Sequence, residues 1–254
     1  FGSATVTAGS DPAVTSLASG GGLIAAKTSR EGNDEIVVLR FGSDGLPIGP
    51  EIVANTSTEF SLYDPAIVEL SDGGFFVSWT SADQEAPVAN IYGRRFDADG
   101  EPIGGEIAIN METELNQNDS NLTVLPSGDL LVTWVSTTVF DEWGVETDVV
   151  LGRILPNDGS AGAGEFAIHS GRYGEIYGHE QLVLTTGNIV NVFGDSGSYA
   201  ESMSSAFWNI PTLSLHEISQ RFVGTTEDDH ITGGAGADQM QGLEGQDILF
   251  GEAG

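Results

Sequence analysis

Short runs in which apolar and polar residues alternate dominate this chain. Between residues 66 and 109 four of them follow in succession: Ala66–Leu70 (AIVEL), Phe75–Trp79 (FFVSW), Ile91–Phe96 (IYGRRF) and Gly105–Ile109 (GEIAI). Alternation puts every second side chain on one face, which is the period of a β-strand. The runs are separated by Asp72-Gly73-Gly74 and by Asp97–Gly104 (DADGEPIG). Asp-Gly pairs supply the positive φ that tight hairpin turns demand. The pattern predicts four antiparallel strands joined by short turns.

The same arrangement recurs. Asp11–Ala26 (DPAVTSLASGGGLIAA), Asp64–Trp79 (DPAIVELSDGGFFVSW), Asp119–Trp134 (DSNLTVLPSGDLLVTW) and, more loosely, Gly178–Phe193 (GHEQLVLTTGNIVNVF) fit one template, with starts 53, 55 and 59 residues apart. Third strands end alike at Arg40-Phe41, Arg95-Phe96 and Arg153-Ile154; fourth strands open alike at Glu51-Ile52, Glu106-Ile107 and Glu165-Phe166. Trp79, Trp134 and Phe193 share one position, where the first unit has Ala26, and are expected in a common core. A four-stranded unit repeated at this interval predicts an all-β, β-propeller-like domain. A sandwich of duplicated hairpins is the competing arrangement. The domain is expected over residues 1–220, with repeats near 11–63, 64–118, 119–177 and 178–220. Ala4–Thr7 and the stretch TLSLHEIS near Leu213 compete for one outer strand, so the number of blades stays open. The unit resembles the "DGGFVVSW … IYGRRFDADG" repeats of large secreted bacterial proteins.

From about residue 221 the period changes to nine. Gly224–Thr232 (GTTEDDHIT), Gly233–Gln241 (GGAGADQMQ) and Gly242–Phe250 (GLEGQDILF) are successive nonapeptides, and Gly251 starts another. Asp229, Asp238 and Asp247 fall nine apart, as do Ile231, Met240 and Leu249 two places later. Each apolar residue centres a very short strand, and the next six residues turn the chain. Two nonapeptides then complete one coil, so strands stack in parallel at ~4.8 Å. Such a coil buries too little apolar surface to offset the entropy of ordering its chain. Its turns supply what is missing. Glycines aim carbonyl oxygens into the gap between stacked turns, and the aspartate adds a carboxylate, giving the oxygen-only cage that Ca²⁺ prefers and Mg²⁺ does not. A flexible Gly/Asp-rich linker would not hold apolar residues in this phase.

The segment resembles the RTX nonapeptide family, which implies a parallel β-roll over residues 221–254. The candidate calcium ligands are Asp229, Asp238 and Asp247, with turn oxygens from Gly224, Thr226, Glu227, Gly233, Gly234, Gly236, Gly242, Glu244 and Gly245. One ion is expected between Gly224–Asp229 and Gly242–Asp247; a second site, on Asp238, is half-built within this sequence. Glu227 and Leu243 stand where the pattern has glycines. The resemblance further implies type I secretion through an uncleaved C-terminal signal beyond this stretch, folding outside the cell, and a secreted or cell-surface location.

Charge sharpens this picture. The 254 residues carry 8 Lys+Arg against 38 Asp+Glu, a formal net charge of −30. That argues against nucleic acid and anionic lipid as partners. An acidic excess of this size either lives with cations or keeps a protein soluble by repulsion. There is no cysteine, so disulfides and thiolate metal sites are excluded. No run approaches the ~18 apolar residues of a membrane span. No signal segment follows Phe1, as expected of a partial or processed chain.

Other motifs yield little. Asp97-Ala98-Asp99-Gly100 begins like a calcium loop but sits at a hairpin position shared with Ser43-Asp44-Gly45. His169, His179, His216 and His230 form no zinc-protease motif and are expected to be structural or solvent-facing. No nucleophile elbow or phosphate loop occurs. Carboxylates are too plentiful to single out a glycosidase pair. The sequence reading is therefore a secreted calcium-binding protein with a non-catalytic surface, matrix or adhesive role, binding an extracellular protein or glycan or associating with itself. Its alternatives are an extracellular hydrolase or lyase with a site in the propeller channel, and an accessory module of a larger secreted protein.

Overall fold

The computed structural model describes residues 9–57, 60–82, 88–111, 113, 115–138, 147–157, 162, 164–170, 176–183, 188–195, 202–209, 220–223, 230–232, 239–241 and 248–250. All its regular elements are strands: β1 Ser10–Ser16, β2 Gly22–Arg30, β3 Asn33–Phe41, β4 Ile52–Val53, β5 Ser61–Glu69, β6 Phe75–Ala82, β7 Ala89–Phe96, β8 Pro102–Ala108, β9 Gln117–Val124, β10 Leu130–Thr138, β11 Thr147–Leu155, β12 Phe166–Ser170, β13 Ile176–Val183, β14 Asn188–Asp195, β15 Ser202–Asn209, β16 Gln220–Val223, β17 His230–Thr232, β18 Gln239–Gln241 and β19 Ile248–Phe250. The fold is all-β: β-propeller-like four-stranded antiparallel repeats followed by the start of a parallel β-roll. The chain divides into two compact units, Phe1–Val124 and Leu125–Gly254.

The first unit holds two complete antiparallel sheets, ordered β1-β2-β3-β4 and β5-β6-β7-β8, and then β9. Its hairpins close as the Asp-Gly pairs predict. At the β5–β6 turn Gly73 has φ of 84°, the Gly73 amide donates to the Leu70 carbonyl at 3.0 Å, and the Leu70 amide donates to the Gly74 carbonyl at 2.8 Å. A side chain at Gly73 would be strained by that φ alone. The Asp97–Gly100 stretch is a turn of the same kind. The Asp97 carboxylate accepts the amides of Asp99 and Glu101 at 3.0 and 2.8 Å, so its oxygens serve the hairpin.

In the second repeat alternate side chains of β5 and β7 are buried, whereas β6 is buried on both faces. Leu23, Ile36, Val77, Trp79 and Phe96 form one cluster, and the rings of Phe75 and Phe96 stack at 5.0 Å. In the second unit Leu131, Val135, Val150, Ile154, Ile168 and Ile189 form another. Trp79 and Trp134 are 1% and 0% exposed, and Ala26 is buried at the equivalent place. The backbone of Phe193 lies on β14, paired with Ser204.

Polar side chains pin the sheets. Buried Asn55 and Asn110, each closing a repeat, accept the Ile36 and Ile91 amides at 2.8 and 2.7 Å. Asp34 accepts the Leu62 amide at 3.1 Å, and Asp148 accepts that of Ile176 at 2.8 Å. Leu62 and Ile176 hold equivalent places on their strands, so one device positions the first strand of two different repeats.

The second unit carries β10, β11 and β12 in antiparallel pairs and a five-stranded sheet ordered β13-β14-β15-β16-β18. Here Gln220–Val223, just past the Leu213 stretch that competed with Ala4–Thr7 for an outer strand, supplies the fourth strand of the fourth repeat. Ala4–Thr7 and the Leu213 stretch lie outside the described residues. β16 pairs in parallel with β18, Phe222 opposite Met240, and β17 with β19, Ile231 opposite Leu249.

Candidate active site and calcium-binding segment

Three of the first strands, β1, β5 and β13, carry a register irregularity at one place. Register shifts fall between Ser10 and Ala13 in β1, Tyr63 and Ala66 in β5, and Tyr177 and Glu180 in β13. Asp11 and Asp64 stand at that irregularity and Asp119 at the matching position of β9, with φ of 52°, 49° and 54°; besides Glu31 they are the only described non-glycine residues in the left-handed region. Aspartate tolerates that region better than most residues, and the fourth repeat has Gly178 there. A bulge re-aims a side chain that a regular ladder would place elsewhere.

The next residue is buried in three of the four repeats. Ser120 bonds Ser78 through buried hydroxyls at 2.8 Å. In the second unit His179, 3% exposed, has Nε2 3.3 Å from the Thr133 hydroxyl, which also donates to Gln181 at 3.2 Å. Ser78 and Thr133 each precede the core tryptophan. At Asp64 the following residue is the buried Pro65, whose fixed φ holds the chain without a hydrogen bond.

β5 lies beside both β1 and β9 within the first unit, which brings the three aspartates into one electrostatic neighbourhood. Burial, then the negative charges of Asp119 and Asp11, push the Asp64 carboxyl above its ordinary range, with Lys27 opposing weakly. The Lys27 ammonium is committed elsewhere: it pairs with Asp34 at 2.8 Å and lies over the Tyr63 ring at 5.8 Å. Burial acts to raise Asp34, but hydrogen bonds from Lys27, Ser29 and the Leu62 amide outweigh it and leave that carboxyl below its usual value. Asp11 is exposed and accepts the Ser10 hydroxyl at 3.1 Å. Among the described residues no three acidic or histidine side chains are close enough to share a metal ion. The aspartates are coupled through space without converging on one point. One carboxyl biased toward its protonated form beside two others can give and take protons.

These residues were visible in the sequence only as register marks. Three repeats begin with aspartate, and that recurrence was the signal that separates Asp11, Asp64 and Asp119 from the other carboxylates.

The candidate calcium ligands at Gly224, Thr226, Glu227, Asp229, Gly233, Gly234, Gly236, Asp238, Gly242, Glu244, Gly245 and Asp247 lie outside the described residues. The strands between them are described. Ile231 pairs with Leu249 and Phe222 with Met240, each across eighteen positions of sequence, or two nonapeptides. This is the parallel offset that two nonapeptides per coil require. With donors that are oxygens only, the segment fits a hard divalent cation.

Residues 223–254 match the family model described as the RTX calcium-binding nonapeptide repeat (4 copies), so this stretch is an RTX-type repeat and calcium is the ion such repeats bind. The chain is similar in fold to a thermostable family-43 glycoside hydrolase, at TM-score 0.54 and 10% identity over 81% of this chain and 70% of that one. It is also similar to an endo-arabinase from Bacteroides thetaiotaomicron, at TM-score 0.52 and 13% identity over 80% and 75%. A Dyadobacter fermentans protein of unknown function gives TM-score 0.56 and 14% identity over 79% and 60%. No curated protein sequence matches the chain. At these identities the likeness establishes the fold. It also corrects the expected non-catalytic surface, matrix or adhesive role: the propeller-like region shares its architecture with glycoside hydrolases, and the hydrolase alternative is the better supported. Among the described residues no helix is long and apolar enough to cross a membrane.

Proposed function

We propose that this protein is an extracellular bacterial glycoside hydrolase whose reacting groups are Asp11, Asp64 and Asp119, joined to a calcium-dependent RTX roll. The observation that carries the reading is the placement of these aspartates, each in the left-handed region at the same position on three successive first strands. Backbone strain repeated at one site three times is where function is sought first. Glycoside hydrolysis needs one carboxyl that stays protonated and one that is ionised. Asp64, raised by burial and by its neighbours, supports the first role. It would donate its proton to the glycosidic oxygen as the bond to the anomeric carbon breaks. Asp11 or Asp119 would take a proton from the attacking water.

The substrate class follows from charge. A net charge of −30 repels uronate-rich and sulfated polymers, so a neutral polysaccharide is favoured. The division into a propeller-like region to about residue 220 and a roll beyond it, and export followed by folding in extracellular calcium, belong to the same reading. Reducing-end release from a panel of neutral polysaccharides tests it. The protein in calcium is expected to cleave at least one, and Asp64→Asn to lower kcat by ~10²–10⁴-fold with KM little changed. Full activity in Asp64→Asn, or no cleavage of any neutral or acidic glycan, would overturn it.

A further inference from the structure

The four residues of β16 belong to two structures at once. On one side they complete the antiparallel sheet of the fourth repeat, with Phe207 opposite Arg221 and Trp208 opposite Gln220. On the other side they pair in parallel with β18 of the nonapeptide segment, Arg221 opposite Gln239, Phe222 opposite Met240 and Val223 opposite Gln241. Phe222 stands nine residues before Ile231, in phase with Met240 and Leu249. The ladder therefore starts one rung before the first nonapeptide, on a strand that the fourth repeat itself supplies. A second junction lies close by: β17 runs beside β12, the last strand of the third repeat.

We propose that β16 is a shared rung through which calcium binding in the roll sets the order of the fourth sheet's outer edge. The inference rests on the calcium reading of the nonapeptides. Its physical basis is linkage. β16 is four residues long and meets β15 at only two residue pairs, so on its own it frays. An ion that binds only the ordered roll favours every element required for that order. β18 is one such element, and it hydrogen-bonds to β16. The coupling is reciprocal. A formed fourth sheet presents the first rung ready-made, lowering the cost of nucleating a roll whose own strands are three residues long. The roll thereby also covers an edge that would otherwise be open to pairing with another chain.

The test is hydrogen exchange on the full chain, in calcium and in chelator, read by peptide. Calcium is expected to slow exchange about tenfold or more in the nonapeptide strands and also at Phe207 and Trp208 in β15, leaving β5 and β6 unchanged. Met240→Pro, which removes a rung amide from β18 but none of the Asp229 and Asp247 carboxylates, is expected to retain calcium protection at Ile231 and Leu249 and to lose it at Phe207 and Trp208. Protection confined to residues after 224 in the wild-type chain would overturn the shared rung while leaving calcium binding intact. So would calcium protection of β15 that survives Met240→Pro. If that variant fails to fold, the wild-type comparison still decides. No calcium effect anywhere after 224 would overturn the calcium reading itself, and the inference with it.

Discussion

In the second repeat, strands of eight and nine residues bury Phe75, Val77, Trp79 and Phe96, and every sheet neighbour is antiparallel. In the nonapeptide segment the described strands are three residues long and parallel, separated in sequence by six residues that include the aspartates. The first region stabilises itself by removing apolar surface from water, so its order needs no ligand. The second has too few apolar positions for that and concentrates carboxylates instead, so a bound cation is expected to supply its order. Two kinds of repeat in one chain thus differ in what closes their energy balance, and the difference sets which conditions unfold each.

The largest effect separating them is expected at a buried aromatic. Trp79→Ala should destabilise the first unit by ~3–5 kcal/mol in urea unfolding, with or without calcium. A calcium-dependent loss would erase the contrast. Next comes Asp247→Ala, expected to weaken calcium binding by more than about tenfold, or ~1.4 kcal/mol by titration calorimetry, with the urea midpoint of the first unit unmoved.

A smaller effect concerns pH within the first unit. The raised Asp64 carboxyl binds its proton more tightly in the folded chain than in the unfolded one. The stability it contributes is therefore present at low pH and is lost as pH rises from the unfolded value through the folded one. Asp34 and Asp72 act in the opposite sense, since their lowered carboxyls lose stability as pH falls through the folded value. Asp64→Asn should raise stability above neutrality by less than ~1 kcal/mol, because the residue is partly solvated. Unfolding midpoints across the acid range check this; equal pH profiles for variant and wild type would refute the coupling. The smallest effect is expected at the Arg95–Asp72 pair, 2.7 Å apart at the surface. Asp72→Asn keeps the oxygen that accepts the Gly74 amide and should change stability by under ~0.5 kcal/mol, vanishing in high salt.

The sequence by itself determined the strands, the turns and both repeat lengths. Alternation over Phe75–Trp79 and the glycine at Gly73 are local facts, set by side-chain period and by allowed φ, and they transferred directly to β6 and its turn. The nine-residue phase likewise fixed the pairing of Ile231 with Leu249. Asp64 shows where such reading stops. Its identity was plain, but its raised proton affinity depends on burial and on Asp11 and Asp119, each more than fifty residues away. The double use of Gln220–Val223 was hidden for the same reason, since nothing local distinguishes a strand with one partner from a strand with two. Period and turn chemistry act between near neighbours and are written along the chain. Desolvation, charge coupling and strand partnership act between distant segments, so only the tertiary structure decides them.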